Sequence, residues 1–168
     1  MTEQMVGFEL IKTFALTVPP DYDHDTQLTK FRQQHRRRFS YFNDEITDKK
    51  LGSVSHQLTP GQTYSIDLCR ITRTVSSPEC LDFLKARQAM LVGAQGLSVA
   101  WQRNRQEFPR GKWLVSFDGQ IVAIGGIFKS RLSKSDYHSE GESWCLDLGC
   151  LKFDWNTNDC LFCVREKE

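Results

Sequence analysis

The sequence predicts an α+β fold, and three observations carry that reading. From Thr63 the stretch "TYSIDLCRITRTV" alternates, with Tyr64, Ile66, Leu68 and Arg70 facing one way and Ser65, Asp67, Cys69 and Ile71 the other, the period-2 pattern of a strand. It runs into "SSPECLDFLKARQ", where Ser76 and Glu79 have capping-box spacing and Pro78 suits a first helical turn. Further on, "KWLVSFDGQIVAIGG" places Asp118-Gly119 between two alternating runs, a hairpin signal that predicts a two-residue type I′ turn.

The remaining elements follow in chain order. "KTFALTVPPDYD" reads as a strand stopped by Pro19-Pro20, because proline lacks the ladder donor and fixes φ. "HDTQLTKFRQQHRRRF" reads as a helix capped by Asp25 or Thr26, with Leu28, Phe31, His35 and Phe39 near one face. "TDKKLGSVSHQLTPGQ" is loop-like and ends in a Pro60-Gly61 turn signal. After the capped helix, "AMLVGAQG" reads as a connection to a second helix, "LSVAWQRNRQEF", which Pro109 and Gly111 end. "FKSRLSKSDYHSEGES" reads as an exposed loop, and "WCLDLGCLKFDW" and "DCLFCVRE" as the last strands of an antiparallel sheet. One domain is expected over residues 1–168, with a subdivision into an N-terminal strand-helix extension, 1–60, and a second part, 63–168.

Composition narrows the function classes. With 22 basic and 21 acidic residues, no overall field draws in nucleic acid or an anionic membrane, so such a role needs a local patch. Glu3, Glu9 and Lys12 interrupt the first apolar stretch, and no later run has the roughly 18–20 apolar residues of a membrane helix. A cytoplasmic protein with no membrane partner is expected. "HRRRF", with Lys30, Arg32, Tyr41 and Phe42 nearby, is basic and aromatic-flanked, the composition of a surface that holds phosphates and stacks bases. Three consecutive arginines cannot share one helical face, so a solvated surface is expected first and nucleic acid through Lys30 to Arg38 is a third alternative.

The four late cysteines, Cys145, Cys150, Cys160 and Cys163, are enough for a tetrahedral zinc site. Strand alternation works against it, because Cys145 opposes Cys150 and Cys160 opposes Cys163 across the sheet. No cofactor is therefore expected, with zinc or thiol chemistry on these cysteines as the second alternative. No phosphate loop, dinucleotide fingerprint or nucleophile elbow occurs, and the four histidines are scattered, so no catalytic residue is assigned.

"VSSPECLDFLKARQAMLVGAQGLSVAWQ", with Cys80 on its first helix, and "DWNTNDC" followed by "CVREKE" resemble the C-type-lectin-like fold, which includes the formylglycine-generating-enzyme relatives. The ending also looks similar to small bacterial proteins closing on a strand like "CLFCVRE". The resemblance covers about 100 residues and implies a rigid base whose late-strand loops meet a protein or small ligand. Asn156 is followed by Thr157 where the family's calcium site has an acid, so calcium is not implied. The first expectation is thus a non-catalytic binding module with contact residues Tyr137, His138, Trp144, Asp154, Trp155, Asn156, Asn158 and Asp159.

Overall fold

The computed structural model describes residues 6–53, 56–119, 121–129 and 142–168. In chain order these form β1 (Phe8–Thr17), α1 (Gln27–His35) running into a 3-10 turn at Arg36–Arg38, β2 (Phe39–Phe42), α2 (Asp48–Leu51), β3 (Thr63–Ile71) and β4 (Val75–Ser76). Then come α3 (Ser77–Ala86), α4 (Gly93–Asn104) running into a 3-10 turn at Arg105–Glu107, β5 (Trp113–Phe117), β6 (Ile121–Lys129), β7 (Glu142–Cys150), β8 (Asp154–Trp155) and β9 (Asp159–Glu166). The class is α+β, as the sequence predicts.

Seven strands form one sheet in the order β1-β3-β9-β5-β6-β7-β2, and β4 pairs with β8 beside it. The sheet is mixed, which corrects the antiparallel expectation: β9 runs parallel to β5, and β2 parallel to β7. The reason is topological. The chain returns from β7 to place its last strand in the middle, between β3 and β5. The N-terminal segment is also corrected from an extension packed on the rest, because β1 and β2 are the two edges of the same sheet.

Two apolar cores lie on opposite faces. α1 and α4 cover one, with Leu28, Phe31, Leu97 and Trp101 against Tyr64, Ile66, Leu68, Leu114, Phe162 and Val164. α3 covers the other, with Cys80, Phe83 and Leu84 against Cys69, Ile71, Val115, Leu161 and Cys163. The period-2 alternation of β3 and β9 sorts their side chains between the two cores, which is why "DCLFCV" is buried at every position.

Helix starts show what local signals decide. α3 begins with the capping box predicted for it: Glu79 N–H donates to Ser76 Oγ at 3.3 Å, and Ser76 N–H donates to Glu79 Oε2 at 2.7 Å. α1 does not use Asp25 or Thr26. Its first-turn N–H groups at Leu28 and Thr29 instead donate to the Asp48 carboxylate, both at 2.9 Å, so α2 caps α1 from twenty residues away. α4 starts earlier than its apolar periodicity predicts and takes in "GAQG", with Gly96 leaving the room that Val92 fills. In the β5–β6 hairpin Phe117 pairs with Val122, a register two residues away from the one that a two-residue turn on Asp118-Gly119 would set.

One ionic cluster sits within the second layer. The Asp67 side chain is fully buried; Thr13 Oγ1 donates to it at 2.8 Å, Arg87 Nη2 at 2.6 Å and Arg165 Nε at 2.9 Å. Burial raises the carboxyl pKa, but the hydrogen bonds from Arg87, Thr13 and Arg165 outweigh it and hold the group below the usual carboxylate range. A carboxylate depressed on folding contributes stability above its unfolded pKa of about 3.9, and that stability is lost as pH falls through the folded value. Asp67→Ala is expected to cost about 3–5 kcal/mol in urea unfolding at pH 7, because it leaves two guanidinium groups without their shared anion. The variant should also lose stability less steeply than the parent as pH falls below about 4.

Candidate functional site

The segment "DWNTND" is turned inward and upon itself. Trp155 is only 4% exposed; its Nε1–H donates to Ser77 Oγ at 2.9 Å, and its ring lies over Gly149, where a Cβ would stand 3.0 Å from the indole. It packs edge-on against Phe117 at 5.9 Å. Asp159 is buried as well, and burial raises its carboxyl pKa. Its Oδ2 accepts from Asn156 N–H at 2.9 Å, while Asn156 Oδ1 accepts from Asn158 N–H at 2.9 Å, an Asx-type closure that commits these groups to the turn. Trp155 and Asp159 are thus corrected from contact residues to core and turn residues. Asp154, Asn156 and Asn158 are exposed, while Tyr137 and His138 lie outside the described residues.

The cysteines do not converge. Cys160 lies in the core under α4, Cys163 in the core under α3, while Cys145 and Cys150 stand on β7, half-buried and exposed. Among the described residues no three His, Cys, Asp or Glu side chains group around one point. Burial pushes the thiol of Cys69 up to about 12, that of Cys80 to about 12 and that of Cys163 to about 11, and raises Cys160 too. Such thiols stay protonated and unreactive.

Trp144 lines a cleft. Its companions are Gln102, Arg103, Arg105, Gln106, Phe108 and Arg110, around a volume of about 480 Å³. The indole is fixed by edge-on contacts to Trp101 at 5.7 Å and Phe108 at 5.8 Å, the outer end of an aromatic cluster that includes Phe31 and Phe39. Trp144 also stands opposite Phe39 in the β2–β7 register, so the 3-10 turn Arg36–Arg38 directly precedes its neighbour.

Two basic segments therefore flank one ring. Residues 27–43 hold Lys30, Arg32, Arg36, Arg37 and Arg38 with no acid, and residues 101–112 hold Arg103, Arg105, Arg110 and Lys112 with Glu107 alone. A chain of net charge +1 thus concentrates its positive charge here, where α1 and α4 end side by side. Helix C-termini present unpaired carbonyls, which favour cations locally.

The arginines have different tasks. Arg32 donates to the Asn43 and Ile46 carbonyls, and Arg36 donates to the Phe39 carbonyl at 2.9 Å and stacks near Phe42, so both hold structure. Arg105 lies 4.6 Å over the Trp101 ring, an attraction that leaves its hydrogen-bond donors open. Arg37, Arg38, Arg103 and Arg105 have no carboxylate partner among the described residues. His35 joins the two helix ends: Gln102 Nε2 is 3.2 Å from its Nε2, and burial, Arg105 and Arg38 lower its pKa, so it is neutral at pH 7.

A second cleft, about 370 Å³, is lined by His56, Arg87, Gln88, Met90, Arg165, Glu166, Lys167 and Glu168. Its two arginines are bound to Asp67, and its own glutamates balance the lysine. Of these two clefts, the first holds arginines without carboxylate partners among the described residues, Arg103 and Arg105. In the sequence the helical spacing of Leu97, Ala100, Trp101 and Phe108 masks this site; the signal that marks it is four basic residues and one acid in the ten positions of "RNRQEFPRGK".

Protein-family models, curated proteins and solved structures were all compared with the chain, and none matches it.

Two measurements check these placements. Under native conditions a thiol reagent should titrate Cys145 and Cys150 quickly, and the other four cysteines only after denaturation. Trp155→Ala should lower unfolding free energy by about 3–5 kcal/mol, whereas Asn158→Ala should leave it within about 1 kcal/mol of the parent.

Proposed function

We propose that the protein is a binding module for an anionic partner, held by the cleft at the ends of α1 and α4. The observation that carries this reading is four arginines without carboxylate partners among the described residues: Arg103 and Arg105 line the cleft with Trp144, and Arg37 and Arg38 stand in the turn before Phe39, the register neighbour of Trp144. Guanidinium groups with free donors recognise phosphate, sulfate or carboxylate oxygens through paired hydrogen bonds. A ring locked by its neighbours adds contact area at little cost in side-chain entropy.

The reading keeps the expected late-strand binding role for Trp144 but moves its partners. They come from the two helix ends, not from the "DWNTND" turn, whose polar groups satisfy one another.

The test is retention on immobilised heparin, a generic polyanion. The parent protein should be retained and should elute with added salt, as binding through released counterions requires. The double variant Arg38→Glu/Arg103→Glu should elute at markedly lower salt. Its unfolding midpoint should stay within about 2 °C of the parent, because neither side chain supports the fold. Equal elution of parent and variant would contradict the proposal.

A further inference from the structure

We infer that the anionic partner is single-stranded nucleic acid, with one base stacked on the Trp144 indole and successive phosphates on Arg38 and Arg37 to one side and Arg105 and Arg103 to the other. The inference rests on the anion-binding reading above and adds the chemical class of the partner.

Placement is the first argument. Both groups of arginines adjoin Trp144 in the fold: Phe39, opposite it in the sheet register, follows directly on Arg36–Arg38, and Arg103, Arg105 and Arg110 line the cleft beside its ring. A single strand offers a flat aromatic base with a phosphate before and after it along the chain. Stacking on an aromatic platform between phosphate contacts is how single strands are held without base-specific hydrogen bonds.

Accessibility is the second argument. Trp101 and Trp155 are buried, at 3% and 4% exposure, and serve the cores, whereas Trp144 is half-buried in the wall of an open cleft. Its edge contacts to Trp101 and Phe108 fix the plane of the indole before any ligand arrives. The purchase on a base is therefore preorganised.

The geometry also separates single strands from duplex. The uncommitted arginines stand on two 3-10 turns and the last turn of α4, so no described helix offers a basic face for the major groove. A lone mononucleotide carries one phosphate group and would engage fewer of these arginines than a strand with several phosphates.

The experiment is fluorescence anisotropy of a labelled twelve-nucleotide oligothymidine with the full chain at several salt concentrations, with quenching of intrinsic tryptophan fluorescence read in parallel. Short-chain polyphosphate, adenosine monophosphate and a twelve-base-pair duplex serve as competitors. The oligonucleotide should bind and quench. Trp144→Ala should weaken it about 5-fold to 100-fold, the range that one aromatic–base stack commands, while polyphosphate affinity stays unchanged. Trp144→Phe should recover most of the loss, which a purely structural role in the cleft wall would not require. Arg38→Glu and Arg103→Glu should each weaken both ligands and make the salt dependence of oligonucleotide binding shallower by about 0.7 in log–log slope.

Polyphosphate and oligonucleotide binding equally, with Trp144→Ala affecting neither, would overturn the nucleic-acid inference and leave the anion cleft standing. Duplex binding more tightly than the single strand, or the mononucleotide competing at the affinity of the twelve-mer, would overturn it as well. Failure of every polyanion to bind would remove the inference together with the reading beneath it.

Discussion

β9 is the constraint on which the rest of this structure depends. It lies between β3 and β5, antiparallel to one and parallel to the other, and its residues from Asp159 to Val164 are all buried. Cys160, Phe162 and Val164 fill one core while Leu161 and Cys163 fill the other. Each such side chain contributes about 1.5–3 kcal/mol when removed from water, and here the sum is spent on joining two parts. On one side stand β1 and β3; on the other stand β5, β6, β7 and β2. β9 is the strand that unites them, so the two parts form one sheet only when it is in place. Pairings of such long sequence separation are slow to form, which ties folding rate to topology more than to any single contact.

The ionic cluster at Asp67 fixes the same join from the side. Thr13 belongs to β1, Asp67 to β3, Arg165 to β9, and Arg87 follows α3, so one carboxylate holds three adjacent strands and a helix end in register. That use of arginine explains the contrast between the two clefts. At Asp67 the guanidinium groups have an internal anion. Near the ends of α1 and α4 the arginines meet backbone carbonyls, as Arg32 and Arg36 do, or aromatic faces, as Arg105 does, which attract cations without neutralising them. Arg103 and Arg105 carry that charge into the cleft that Trp144 lines.

Much of the fold was legible in the sequence where local and global preferences agree. The alternation of "TYSIDLCRI", the Ser76-Glu79 capping box and the opposed faces of Cys160 and Cys163 are all realised, because each is set by backbone periodicity or by a contact within a few residues. Long-range solutions were not legible. Asp48 capping α1, β9 entering the middle of the sheet and β1 and β2 forming its edges depend on tertiary placement that no window of sequence contains. The candidate site divides in the same way. Trp144 was singled out, but the arginines at 103 and 105 were obscured by the apolar spacing of their helix. Trp155 looked like an exposed aromatic because its polar neighbours suggest a surface loop, and only the structure shows them bonded to one another above a buried ring.

The most direct measurement follows side-chain N–H resonances of isotope-labelled protein as short-chain polyphosphate is added. Arg103 and Arg105 Nε–H and the Trp144 indole N–H should shift together and saturate, while Arg165 Nε–H, held by Asp67, and the Trp155 indole N–H, held by Ser77, should stay in place. Saturable binding that moves the Asp67-bound arginines and leaves Trp144 and its arginines unchanged would contradict the account.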